Sequence, residues 1–291
     1  DIDIQTLKEI WGNLNQEKDS SPEPSQSSSF KQLILSGSYS EINWKASTLY
    51  GLNESDYSDI DWGKVNLKHL QKNKNASIVW TWVEFDEFSP KQYKNIDWKK
   101  VDLNGFTKSN FDKIEWDKVN FEKMQKYQST IEWNNVNFYS VFNSKSYKKI
   151  DWSDVNLIGF DKESLDSINW GKVKYAGKKS ITDADGFDWK DVDFYQVFDS
   201  KAWKTISWNQ VDFTGFQAQD YSKIQWGKVA YTGKKSITDS STIEWKNVNF
   251  DQIFDSKAYK KINWAKVNFS SFDEADYDSI KWSKVKFHGK K

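Results

Sequence analysis

Hydrophobic and polar positions recur along this chain as one phrase, Ile-x-Trp-x-x-Val-x-Phe with small variations, fourteen times at intervals of 17 to 19 residues. Its tryptophans are Trp44, Trp62, Trp80, Trp98, Trp116, Trp133, Trp152, Trp170, Trp189, Trp208, Trp226, Trp245, Trp264 and Trp282. Trp11, Trp82 and Trp203 fall outside the series. Within each phrase Ile-x-Trp and Val-x-Phe alternate at period two, which predicts two short strands with their apolar residues on one face. The two polar residues between the pairs leave room for a bend. A fixed short period predicts stacked, near-identical units that contact mainly their neighbours. The expected fold is therefore a repeat solenoid, mainly β, of β-helix-like coils of 18–19 residues with a short helical turn in most coils.

The helical turn is read from segments such as residues 107–114, where the hydroxyl of Thr107 precedes Phe111 and Ile114, three residues apart. Residues 161–168 and 220–224 follow similar logic. A longer period overlies the first. Units recur as triplets of 56 residues, with Ile131, Phe187 and Ile243 opening equivalent units. The third member of each triplet replaces the helical turn by a Gly-Lys-rich segment at 171–183, repeated at 227–239 and begun again at 283–291. Ahead of the array, Ile4, Leu7, Ile10, Trp11 and Leu14 have helical spacing, so residues 1–14 are expected to form an amphipathic helix. Residues 15–29 read as a Ser/Pro linker. Residues 30–291 are then a solenoid of 14 repeats, with a degenerate N-terminal capping unit at Phe30–Glu41.

Composition sharpens this picture. Hydrophobic residues make up only 37% of the chain but aromatics 17%, so core formation has shifted to Trp, Phe and Tyr. Forty-two cationic residues, all of them Lys, balance forty-two acidic ones. A neutral chain without Arg lacks the bidentate donor that reads phosphates and base edges, and nucleic acid is not an expected partner. The absence of Cys rules out disulfides and thiolate metal sites. Together with a single Met, it favours an extracellular or cell-surface location. No run approaches the ~18 apolar residues of a membrane span.

Candidate chemistry lies in three columns. The Trp series is expected to form a buried ladder, one indole per coil and ~4.8 Å apart, made of Trp62, Trp98, Trp116, Trp133, Trp152, Trp170, Trp189, Trp208, Trp226, Trp245, Trp264 and Trp282. Asp61, Asp97, Glu115, Glu132, Asp151 and Asp188 occupy the middle of Ile-x-Trp, while Asn66, Asp102, Asn120, Asn137, Asn156, Asp193, Asp212 and Asn249 occupy the middle of Val-x-Phe. Calcium needs six to eight converging oxygens, and interleaved lysines make these columns a solvated, charge-balanced face instead. No metal or other cofactor is expected, and His69 and His288 are isolated. The third column is basic. Lys172, Lys174, Lys178 and Lys179 form one cluster, Lys228, Lys234 and Lys235 a second, and Lys284, Lys286, Lys290 and Lys291 a third. Such a stripe is a candidate anion-binding surface.

Val101-Asp102-Leu103-Asn104-Gly105, Val155-Asn156-Leu157-Ile158-Gly159 and Val211-Asp212-Phe213-Thr214-Gly215 resemble pentapeptide-repeat units. That resemblance covers part of each unit and implies a right-handed β-helix. The spacing Phe-x-x-Ile-x-Trp-x-x-Val-x-Phe is similar to that of leucine-rich repeats, without their Asn ladder position. The phrase is also similar to Trp-containing tandem repeats of large secreted bacterial, especially cyanobacterial, proteins, which implies a surface location. None of these resemblances brings an active site, and the polar columns continue the repeat where a catalytic site would break it. The expected function is thus a non-catalytic structural or surface-exposed solenoid: a rigid spacer, stalk or assembly module. The alternative is an adhesin-like module that binds carbohydrate or an anionic surface through the Lys clusters and exposed aromatics such as Trp82 and Trp203. The partners so implied are an anionic polysaccharide, another copy of the chain or a surface protein.

Overall fold

The computed structural model describes residues 24–124 and 131–286. These fall into two compact units, one ending at Asp102 and the other beginning at Leu103. The Ile-x-Trp-x-x-Val phrase folds the same way in nearly every repeat. Trp opens a single turn of 3-10 helix, as in Trp62–Lys64, Trp116–Lys118 and Trp208–Gln210. The residue before Trp supplies the carbonyl that closes the turn, for example Lys118 N–H donating to Glu115 O at 2.9 Å. Val then returns the backbone to an extended conformation. With three residues per 3-10 turn, Trp and the Val three positions later lie on one side, and in these three repeats both are buried.

Where a helix follows directly, the residue between Val and Phe or Leu is its cap. Asn137 Oδ1 accepts from Ser140 N–H at 3.2 Å, and Asn249 Oδ1 from Gln252 N–H at 2.9 Å. Each satisfies a backbone donor that the first helical turn leaves without a partner. Leu or Phe then begins a short α-helix: Leu67–Leu70, Phe121–Met124, Phe138–Phe142, Phe194–Asp199 and Phe250–Phe254. In every third repeat a glycine at positive φ, such as Gly105 at 78° or Gly215 at 82°, first turns the chain. A capped helix follows, at Lys108–Asp112, Lys162–Asp166 and Ala218–Ser222. The helical turns expected within 107–114, 161–168 and 220–224 correspond to these.

The expected mainly β coil is overturned. Among the described residues there is no β-strand; about 47% of residues are helical and twelve short α-helices are present. Only an isolated bridge pairs Asn156 with Asp185. Among the described residues neither the β-helix implied by the resemblance to pentapeptide repeats nor stacked strands are formed; they build a helical repeat. The physical reason is the brevity of the alternation. Apolar-polar-apolar over three residues also arises when a polar N-cap separates the last extended residue from the first helical one.

The core is aromatic, and its order differs from an indole ladder. In the second unit, rings of the short helices sit between successive indoles: Trp116, Phe121, Trp133, Phe138 and Trp152 stack in that order, with centroids 6.1, 5.9, 6.1 and 6.0 Å apart. Trp189, Phe194 and Trp208 repeat the pattern at 6.4 and 6.2 Å. In the first unit, Phe85 lies between Trp80 and Trp98, 6.1 Å from each. Ten of the twelve ladder tryptophans are buried, from Trp62 to Trp245; Trp264 is half-buried and Trp282 is 37% exposed. The helix Pro24–Leu35 takes in residues 24–29, the end of the stretch read as linker. It buries Phe30, whose ring meets Trp44 edge-on at 6.0 Å. The amphipathic helix expected at 1–14 and residues 15–23 lie outside the described residues.

Candidate functional site

Part of the basic column is tied to the fold. Lys172 Nζ donates to Phe142 O at 2.6 Å and lies 5.4 Å from the centre of the Tyr147 ring. Lys228 Nζ donates to Phe198 O at 3.3 Å, and Lys235 Nζ to Thr205 O at 2.9 Å. Lys179 pairs with Asp151 at 3.2 Å, and Lys174 bonds to Lys178 O. Lys172 and Lys228 thus meet carbonyls in the last turn of the helices Phe138–Phe142 and Phe194–Asp199, where partial negative charge gathers. Lys178, Lys234, Lys284 and Lys286 are exposed, and Lys290 and Lys291 lie outside the described residues.

Four members of the acidic column are engaged in the same way. Asp61 pairs with Lys64 at 2.8 Å, Asp188 with Lys190 at 2.9 Å, Asp151 with Lys179, and Glu115 with Lys118. Among the described residues no group of three or more His, Cys, Asp or Glu could hold a metal ion. The strongly shifted groups are phenols of the core. Burial pushes Tyr57 and Tyr221 up to about 12, and their hydroxyls accept from Val79 N–H at 2.9 Å and Glu244 N–H at 2.8 Å. Burial holds Tyr175 and Tyr231 well above the ordinary phenol value, each hydroxyl donating to a tryptophan carbonyl. Trp82 and Trp203 are half-buried; Trp82 meets Tyr57 edge-on and Trp203 stacks on Phe198.

A cleft of about 430 Å³ opens in the second unit between the helices Phe138–Phe142 and Phe194–Asp199 and the turn after Trp170. Gly171 permits the close packing that frames it, since a Cβ there would lie 2.7 Å from Gln196 O. Gln196 Oε1 accepts from Trp170 N–H at 3.0 Å, which pins the second helix to the turn. Phe142 and Ile168, both buried, form the floor. Tyr139, 64% exposed, stands at the rim with Asn143, Asp166, Asn169 and Asp199.

The frame recurs 56 residues later. Trp226 N–H donates to Gln252 Oε1 at 3.1 Å, Lys228 reaches Phe198 O, and a Cβ on Gly227 would lie 3.0 Å from Gln252 O. Phe198 and Ile224, both buried, stand 56 residues after Phe142 and Ile168, and Tyr195, 56% exposed, stands 56 after Tyr139. Sequence reasoning singled out Lys172 and Lys228 but missed Tyr139, Tyr195 and Gln196. The signal was the duplicated Phe-Tyr-x-Val-Phe at 138–142 and 194–198, which adds an aromatic beside one already committed to the core.

Comparison with models of protein families, with curated proteins and with solved structures finds no match for this chain. Among the described residues no helix is long and apolar enough to cross a membrane.

Proposed function

We propose that this chain is a non-catalytic structural repeat module, a spacer or assembly unit at the cell surface or outside the cell. The observation that carries the reading is the recurring clasp between repeats. Gln196 and Gln252 hold Trp170 and Trp226, while Lys172 and Lys228 hold Phe142 and Phe198, across 26 and 30 residues respectively. Charged and amide groups that could do chemistry are thereby used to join one repeat to another, which is how a stack of identical units gains stability. The lack of Cys and the likeness of the phrase to tandem repeats of secreted proteins support the location.

The test is excision of one 56-residue period, residues 187–242, which joins Gly186 to Ile243 in register. A module of this kind keeps a cooperative thermal transition and its near-ultraviolet circular dichroism after the excision. Collapse of the shortened chain, or turnover of a glycan panel by the intact chain, would contradict the reading.

A further inference from the structure

We propose that the cleft framed by Gly171–Gln196 and the equivalent frame at Gly227–Gln252 are subsites for a neutral polysaccharide. The inference does not depend on the scaffold role. The first joins an apolar floor to the exposed phenol ring of Tyr139, the second frame carries the exposed Tyr195, and both rings stand largely in solvent. The first has a volume of about 430 Å³, within the range of small-ligand sites, on the order of 300–1,000 Å³. A pyranose has one face of C–H groups and an edge of hydroxyls. The face suits Tyr139. The hydroxyls suit the amides of Asn143 and Asn169, which both donate and accept, and the carboxylates of Asp166 and Asp199.

Charge selects against an acidic sugar. Among the described residues Lys172 is the only cation lining the first cleft, and its ammonium is engaged by Phe142 O and the Tyr147 ring. Two carboxylates remain at the rim and would repel a uronate or sulfate. The duplication selects for a polymer. Subsites one period apart gain little from a monosaccharide, but a chain reaching both converts the second contact into an intramolecular one.

The experiment is affinity gel electrophoresis of the whole chain through hydroxyethyl cellulose, a galactomannan, soluble amylopectin and alginate. The expected result is retardation by a neutral polymer that persists in about 0.5 M salt, where exposed ionic contacts are screened. Tyr139→Ala should weaken that retardation about tenfold, the scale of one lost aromatic contact. Tyr139→Ala with Tyr195→Ala should abolish it, and Tyr139→Phe should retain it. Both tyrosines are exposed, so the variants should keep the parent melting temperature and near-ultraviolet spectrum, which are measured alongside. The proposal is overturned if no neutral polymer retards the chain, or if the folded double Ala variant is retarded as the parent is. It is also overturned if only alginate retards the chain and salt releases it, since free lysines would then be the binding surface.

Discussion

Replacing Phe138 with Ala removes the ring that separates two indoles. Phe138 is 1% exposed and lies 6.1 Å from Trp133 and 6.0 Å from Trp152, inclined to them by 17° and 21°. It also meets Phe142 at 6.0 Å and Phe160 at 6.3 Å. Returning such a ring to water forfeits about 1.5–3 kcal/mol of transfer free energy. Each stacked pair contributes about 0.5–1.5 kcal/mol more. The cavity that remains adds to the loss, so Phe138→Ala should cost about 3–5 kcal/mol. Phe138→Leu refills most of the volume without the stacking and should cost less than half as much. Urea unfolding followed by near-ultraviolet circular dichroism and indole fluorescence measures both. Because repeats can open separately, amide exchange at residues 133–152 should be read in parallel. A cost below about 1 kcal/mol for Phe138→Ala would show that these indoles do not rest on the intervening ring, and would refute the packing described.

Other perturbations follow from the same packing. Asn137→Ala removes the cap on Phe138–Phe142 and should cost about 1 kcal/mol in urea unfolding, while Asn137→Asp should cost little. Gly186 has φ +73° and a Cβ there would lie 2.7 Å from Ile158 N, so Gly186→Ala should lower stability by about 1–3 kcal/mol. Gly159, also at positive φ but with nothing within 4 Å of a Cβ, should tolerate Ala better in the same assay. In alkali, Tyr57 and Tyr221 bind their protons more tightly in the fold than in the unfolded chain, whose phenols titrate near 10.0. Their contribution is therefore complete below pH 10.0 and is lost as pH rises towards about 12. Ultraviolet absorbance of phenolate should show late-titrating tyrosines, and Tyr57→Phe together with Tyr221→Phe should flatten the alkaline fall in melting temperature.

The period, the burial of most of the Trp series and the capped helices near 107–114 and 161–168 could be read from the text, because each rests on spacing or on a local cap. The backbone class could not. In Val136-Asn137-Phe138 a polar residue between two apolar ones reads as strand alternation, yet Asn137 is polar because its side chain closes the helix that follows. Ile-x-Trp misleads likewise, since the middle residue supplies the carbonyl for a 3-10 turn. Distinguishing these needs the hydrogen-bond partner and not the polarity. The order of the core was hidden for a related reason. Strand alternation puts Trp and Phe of one phrase on a common face, whereas the helix carries Phe138 to a position between Trp133 and Trp152. The cleft was illegible because its two helices come from different triplets, and only the fold brings Tyr139 near Gln196.

Nuclear Overhauser contacts of the Phe138 ring test the central claim most directly. The fold predicts cross-peaks from Phe138 ring protons to the indoles of both Trp133 and Trp152, with sequential amide contacts through residues 138–142 as a helix requires. Cross-peaks joining Trp133 directly to Trp152 while bypassing Phe138, together with the cross-strand α-proton contacts of paired β-strands, would contradict it.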